Sequence, residues 1–244
     1  MLPRGMCKDR SSQDLQALTP GWSTSSATYF SPLADLDYLM NKSLVSMLLA
    51  LGLCGLAHAA EPVAGDAAAG QAKTAVCGAC HGPDGNSPAP NFPKIAGQGE
   101  RYLLKQLHEI KDGKRVVLEM TGLLNNLTDQ DLADIAAYYA GQKGNVGAAD
   151  PNLVARGEAL FRGGNLEQGL AACTGCHSPN GAGNGQAGFP RLGGQHADYI
   201  KKQLTAFREG DRTNDGDTMV MRSIAAKLSN KDIDALAQYI QGLH

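Results

Sequence analysis

Apolar positions recur at three- and four-residue intervals along much of the chain, and two of these stretches read almost as copies of one another. Leu132, Ile135, Ala136 and Tyr139 fall on one helical face, as do Ile233, Leu236, Ala237 and Ile240, the spacing of a helix with one buried side. Each run follows a hydroxyl residue with a carboxylate three positions on: Thr128 with Asp131, and Ser229 with Asp232. That arrangement resembles a capping box and predicts where the helix begins. Shorter periodic runs predict a middle helix over about 101–112 and again over about 197–209. Leading helices are predicted over about 67–76 and about 153–161, the second followed by an insert. No stretch shows a convincing strand alternation, so the pattern predicts an all-α fold of helices joined by long loops.

The resemblance between stretches extends to the loops. Asn91-Phe92-Pro93-Lys94 and the residues after it match Gly188-Phe189-Pro190-Arg191, and Tyr102 to Leu107 match Tyr199 to Leu204. The period is about 96–101 residues, so each unit is a domain and not a solenoid repeat. Residues 141–151, rich in Gly, Ala and Asn and ending in Asp150-Pro151, read as the linker. The expected domains are 60–147 and 148–244. Each has fewer than 100 residues, near the size at which an apolar core alone is marginal, and a large flat apolar cofactor would solve that problem.

The N-terminal region has a different character. Met40-Asn41-Lys42 is a short basic start, the following stretch is mostly apolar, and Ala57-His58-Ala59 is a small-residue cleavage site. Residues 40–59 therefore read as a secretory signal peptide, too short to span a bilayer comfortably. Met40 is the expected start of the precursor, with residues 1–39 an upstream extension that is not native, or a disordered leader. Of the six cysteines, Cys7 lies in the leader and Cys54 in the signal, where the bulky Leu53 before it argues against lipid attachment.

The other four cysteines form a motif that occurs twice. Cys77-Gly78-Ala79-Cys80-His81 and Cys173-Thr174-Gly175-Cys176-His177 are both C-x-x-C-H, the pattern of covalent c-type haem attachment. Two thiols three positions apart can add to the two vinyl groups of one haem. The histidine that follows is then held against the iron as its proximal ligand. Two haem c groups, each with its iron, are the expected cofactors. Zinc is the poorer reading of these cysteines in an exported chain with a histidine directly after each pair.

An iron held by His81 or His177 needs an account of its opposite side. A methionine there raises the potential and fills the site, whereas an open position permits ligand chemistry. Residues 60–244 contain three methionines: Met120, Met219 and Met221. Met120 lies eight residues before the cap Thr128, and Met221 lies eight before the cap Ser229. The repeat therefore selects Met120 and Met221, with Met219 as the alternative in the second unit. His108 and His196 do not recur between the units and read as ordinary surface or helix residues; His244 is the C-terminal residue and reads as exposed. Pro93 and Pro190 follow the motif histidines by twelve and thirteen residues. Their carbonyls are candidates to accept the Nδ1–H of each proximal histidine and fix its tautomer. Gln98, Arg101, Tyr102, Arg191, Gln195 and Tyr199 are candidates to meet haem propionates.

Charge narrows the function classes. Residues 60–150 hold 8 basic and 11 acidic residues, and residues 151–244 hold 10 and 9. The halves differ in sign, which gives a dipolar molecule. No basic stripe with interleaved aromatics is present, so nucleic acid is not an expected partner. A di-haem electron carrier fits two six-coordinate irons. A di-haem peroxidase would need a displaceable ligand and an acid–base residue beside it, and the repeat places neither. A cytochrome subunit of a larger dehydrogenase complex is the remaining alternative.

Tandem C-x-x-C-H units, each with a following Phe-Pro-Lys/Arg segment and a methionine before a capped last helix, resemble the cytochrome c4 family, made of two class I cytochrome c units. The similarity covers about 65–244 and includes Val76 to Gly82, Ala96 to Tyr102 and Arg212 to Met219. The resemblance implies a monomeric periplasmic carrier, held loosely at the membrane, with two pseudo-symmetric domains whose haem propionates face each other. It also implies redox protein partners: a quinol-oxidising complex upstream and a haem–copper terminal oxidase downstream.

Overall fold

The computed structural model of the protein describes residues 63–244, and the expected leader (1–39) and signal segment (40–59) lie outside the described residues. The first repeat contains α1 (Ala67–Gln71), α2 (Ala75–His81), α3 (Glu100–Lys111), a 3₁₀ turn (Leu118–Met120) and α4 (Asp129–Ala140). The second contains α5 (Pro151–Gly163), α6 (Thr174–His177), α7 (Ala197–Glu209), α8 (Val220–Ala225) and α9 (Asn230–Gly242). Among the described residues the β-type pairings are two isolated bridges, Asn165 with Leu170 and Asn184 with Phe189. The fold is all-α, two units of helices joined by long loops in tandem.

Both last helices begin with complete capping boxes. Thr128 accepts from Asp131 N while the Asp131 carboxylate accepts from Thr128 N, and Ser229 and Asp232 do the same. The apolar faces then bury as their periodicity requires. Leu132, Ile135, Ala136 and Tyr139 are buried on α4, and Ile233, Leu236, Ala237 and Ile240 on α9. Two separate cores result. One joins Leu103 of α3 to Ile135, Ala136 and Tyr139; the other joins Phe161, Ile200, Ile233 and Leu236.

Two leading helices differ from the periodic reading. The stretch 67–76 is not one helix. The chain turns after Gln71, where Thr74 Oγ1 donates to the Gln71 carbonyl at 2.9 Å and Lys73 N donates to the Gly70 carbonyl at 2.9 Å. A hydroxyl that bonds the local backbone competes with helix continuation, and the attachment motif starts its own helix. In the second repeat the helix is longer than predicted, because Asp150 caps it by accepting from Asn152 N at 2.9 Å and Pro151 occupies its first turn, where a missing N–H costs nothing. The insert that follows closes on itself through paired bonds between Asn165 and Leu170.

The leading helix of each repeat crosses the last helix at a glycine. A Cβ on Gly70 would lie 2.0 Å from the Asp134 carbonyl oxygen, and one on Gly157 would lie 2.2 Å from the Ala235 carbonyl oxygen. Only a residue without a side chain permits that approach. The linker is also held: Gly147 N donates to the Gln241 carbonyl at 3.1 Å, and Asp150 N donates to Gln238 Oε1 at 3.0 Å.

The first crossing carries a charge cluster built on Asp134, where the second has an ion pair of Arg156 with Asp232. Asp134 Oδ1 accepts from Asp66 N at 2.8 Å and from Gln130 Nε2 at 2.8 Å, and Oδ2 accepts from Lys73 Nζ at 2.6 Å. The backbone N–H of Asp66, followed by the Lys73 ammonium, holds the Asp134 carboxyl at about 2, below its ordinary 3.8. Lys73 pushes Asp131 down as well. A carboxyl with a lowered folded-state pKa stabilises the fold above its unfolded value and loses that contribution as pH falls through the folded value. The α1–α4 contact is therefore expected to weaken between about pH 4 and pH 2, and Asp134→Asn to flatten that dependence, as read by circular dichroism during acid titration. A variant with unchanged acid sensitivity would assign the transition to other groups.

The repeats are joined by reciprocal amide contacts. Gln98 Nε2 donates to the Arg191 carbonyl at 2.9 Å and Gln98 Oε1 accepts from Arg191 N at 2.7 Å. Gln195 Nε2 donates to the Lys94 carbonyl at 2.7 Å and Gln195 Oε1 accepts from Lys94 N at 2.9 Å. Gln98 and Gln195, like Lys94 and Arg191, are equivalent positions of the repeat, so the contact has pseudo-twofold symmetry. His196 is not an ordinary surface residue: its Nε2 lies 2.9 Å from the Ser87 carbonyl of the other repeat.

Candidate functional site

Cys77, Cys80 and His81 lie within α2, while Cys173 stands at the start of α6 and Cys176 and His177 lie within it. His81 Nδ1 lies 2.9 Å from the Pro93 carbonyl, and His177 Nδ1 lies 3.0 Å from the Pro190 carbonyl. Because a carbonyl only accepts, Nδ1 carries the proton in each ring and Nε2 keeps its lone pair for a metal. Burial holds both imidazoles below the ordinary histidine value, against the opposing pull of the carbonyl, which favours the neutral ligand form. Phe92 and Phe189 pack against the two rings, with centroids 6.5 and 6.3 Å away.

The cysteines are free of disulfides. Burial raises the Cys77 thiol above its ordinary value and pushes that of Cys173 up to about 11. Among the described residues no three His, Cys, Asp or Glu side chains come together as a metal-binding cluster.

One continuous cavity runs through both repeats and meets all four cysteines, both motif histidines, Met120 and Met221. Met120 ends the 3₁₀ turn and Met221 stands in the first turn of α8. Met219 is half-exposed at 48 %, adopts a left-handed backbone conformation with φ +48°, and does not line the cavity. The walls are largely aliphatic and aromatic, including Leu103, Leu107, Leu204 and Phe207. Paired thiols, a neutral imidazole with a free nitrogen, a thioether and apolar walls, all present twice, are a donor set that fits two haem c groups.

Several polar residues expected near propionates have other partners. The amides of Gln98 and Gln195 are taken up across the repeats, as above. Arg101 donates to the Gln186 carbonyl at 2.7 Å, and Arg191 Nε donates to the Gly193 carbonyl at 3.2 Å. Tyr102 and Tyr199 belong to a network across the repeats that the helical periodicity does not single out. Arg115 donates to Gln106 Oε1 of its own repeat at 2.7 Å, and to Tyr199 Oη at 2.9 Å and Gln203 Oε1 at 3.3 Å of the other. Arg212 donates to Gln203 Oε1 of its own repeat at 2.7 Å, and to Tyr102 Oη and Gln106 Oε1 of the other, both at 3.2 Å. Each arginine lies 97 positions from its counterpart, as do Gln106 and Gln203 and the two tyrosines, so the repeat itself carried the signal.

An all-α tandem with two C-x-x-C-H helices opening into one apolar cavity defines a c-type cytochrome with two haem sites. The cytochrome c family model matches residues 67–141 and again 154–244. The chain is 78% identical over 205 residues to cytochrome c4 of Pseudomonas aeruginosa, covering 84% of this chain and 100% of that protein. It is 70% identical over 214 residues to cytochrome c4 of Stutzerimonas stutzeri, with coverage of 84% and 100%. A crystal structure of reduced recombinant cytochrome c4 from Pseudomonas stutzeri superposes with a TM-score of 0.74 at 72% identity, covering 74% of this chain and 100% of that one. The chain belongs to the cytochrome c4 family. It is a di-haem electron-transfer protein and not an enzyme.

Proposed function

We propose that this cytochrome carries electrons in the periplasm, from a quinol-oxidising complex to a haem–copper terminal oxidase, through two haems that are both ligated by histidine and methionine. Cys77 and Cys80 would hold one haem covalently, and Cys173 and Cys176 the other; His81 with Met120, and His177 with Met221, would ligate the two irons. The observation that carries this reading is the placement of a methionine at equivalent points of both repeats on the wall of the cavity that holds the histidines. When bound, the haems supply reversible one-electron chemistry. The chain supplies the rest. Pro93 and Pro190 orient the proximal imidazoles. The thioethers of Met120 and Met221 would complete the ligand sets and favour the reduced state, and the apolar walls exclude water. The unequal charge of the halves presents different ends to donor and acceptor, which governs association rates more than affinity.

Export accords with the signal-like segment at 40–59, and no helix among the described residues is long and apolar enough to cross a membrane. The partner assignment is tested by mixing pre-reduced protein with a purified haem–copper oxidase from the same cells. The expected result is rapid oxidation that slows steeply with salt. Oxidation no faster than by oxygen alone would remove the oxidase as acceptor.

A further inference from the structure

Gln98 and Gln195 bridge the repeats symmetrically, but the residues that follow them differ. Gly99 follows Gln98, and His196 follows Gln195. His196 Nε2 lies 2.9 Å from the Ser87 carbonyl of the first repeat. A carbonyl only accepts, so Nε2 carries a proton and donates it. Ser87 is buried at 2 % exposure, and its hydroxyl donates to the Cys80 carbonyl at 3.0 Å. One residue therefore separates the imidazole from the end of the first attachment motif, where Cys80 adjoins His81. A second route leads to the same place. Lys94, whose charge acts on the ring, directly follows Pro93, the residue whose carbonyl meets His81 Nδ1. The second attachment loop has no imidazole against it from Gly99, which has no side chain. Its residue equivalent to Ser87, six positions after the motif histidine, is Gly183.

The ring is half-buried and does not line the cavity. A second proton, on Nδ1, would leave the bond to Ser87 in place and add a full charge beside the loop. Burial holds the imidazole below its ordinary value, and Lys94 adds to that, against the pull of the Ser87 carbonyl and of the Asp198 carboxylate on its own helix. Lys94 and Asp198 are the charged groups that act on it. The attachment loop presents the neutral Ser87 carbonyl, and α9 contributes the neutral amide of Gln241, which accepts from Ala197 N at 2.8 Å. We propose that His196 is a positioning residue for the first haem: it braces that haem's attachment loop from the second repeat, and its proton is coupled to the redox state of the first haem more strongly than to that of the second. This rests on the reading that the first motif carries haem.

A cation beside a haem favours the ferrous state. The first potential is therefore expected to rise as the ring takes up its proton, below about pH 6.5. Linkage makes the effect reciprocal: when one electron enters that haem, Nδ1 takes up a fraction of a proton from solvent. The experiment is a redox titration of the holoprotein at several pH values from about 8 to about 5. It is followed by NMR, with the methyl resonances of each haem assigned through contacts to Phe92 or Phe189, and haem content is measured on the same samples. His196→Gln keeps a donor for Ser87 but cannot gain the charge. Compared with the wild type, its first ferric–ferrous equilibrium is expected to agree near pH 8 and to differ by about two- to fivefold near pH 5. Fivefold is about 41 mV at about 59 mV per tenfold change for one electron. The second haem is expected to differ less. A wild-type pH profile at the first haem of His196→Gln, or an equal or larger change at the second, would overturn the coupling while leaving the haem reading intact. A wild-type protein without two haems per chain would instead overturn the haem reading. His196→Gly, the residue of the equivalent position, tests the brace. Hydrogen exchange is expected to speed up at Ala89 N, which donates to Ser87 Oγ at 3.2 Å; unchanged exchange there would overturn the brace.

Discussion

Replacing Met221 by alanine is expected to open one of the two irons and leave the other closed. Met221 lines the cavity at the first turn of α8, while Met219, two residues earlier, is half-exposed and turned away from it. On the proposed reading, loss of the thioether would remove the ligand that favours the reduced state. The second haem is then expected to become high-spin, to bind carbon monoxide, and to fall in potential by a sizeable part of the roughly 0.8 V that axial ligands span. The first haem, which Met120 would close on the proposed reading, is expected to keep its spectrum. Carbon monoxide titration of the reduced variant then counts one binding iron per chain. Met219→Ala is the matched control and is expected to leave both haems unchanged. If Met219→Ala opened an iron and Met221→Ala did not, the ligand of the second repeat would be Met219.

A large structural effect is expected at the helix crossing of the second repeat. A Cβ on Gly157 would meet the Ala235 carbonyl oxygen at 2.2 Å and Tyr239 Cβ at 2.5 Å. Backbone on the far side cannot rotate away, so α5 and α9 must separate. Phe161, which is fully buried and packs 5.5 Å from the Tyr239 ring, would lose contact as they do. Alanine gains up to about 1 kcal/mol of helix propensity over glycine, but overpacking of this kind costs about 1–3 kcal/mol or more. Gly157→Ala is expected to be destabilised by about 2 kcal/mol net, a fall in Tm of about 5 °C or more, measured by thermal denaturation of the holoprotein. Gly163, in the same helix with nothing within 4 Å of its Cβ position, provides the contrast: Gly163→Ala is expected to be neutral or slightly stabilising. Equal effects at the two positions would mean that the close crossing is not what Gly157 provides.

Helices α3, α4, α7 and α9 were legible because each combines a capped or turn-marked start with a sustained apolar face, and such signals are local. The break before α2 was not legible, since it depends on one hydroxyl, that of Thr74, bonding back to Gln71. The length of α5 was under-read because its first turn, Pro151-Asn152, is polar and lies beyond the apolar periodicity. At the site, the sequence displayed the repeated motifs but not the partners of its polar residues. Gln98 and Gln195 could be matched by alignment, yet their bonds run to the opposite repeat, and no pattern within one unit contains that information. His196 was misjudged for the same reason: its counterpart Gly99 has no side chain, and its own partner, Ser87, lies 109 positions away. The arginine pair was within reach, because Arg115 and Arg212 keep the same 97-residue offset as the tyrosines and glutamines they bind.

The central claim is that both irons are closed by histidine and methionine. It is tested most directly by the absorption spectrum of the purified protein, oxidised and reduced, with haem content determined and with carbon monoxide added to the reduced form. The expected result is two low-spin haems per chain, a methionine-to-ferric-iron band, and no response to carbon monoxide. A high-spin component that binds carbon monoxide would contradict the claim and show that one iron is open.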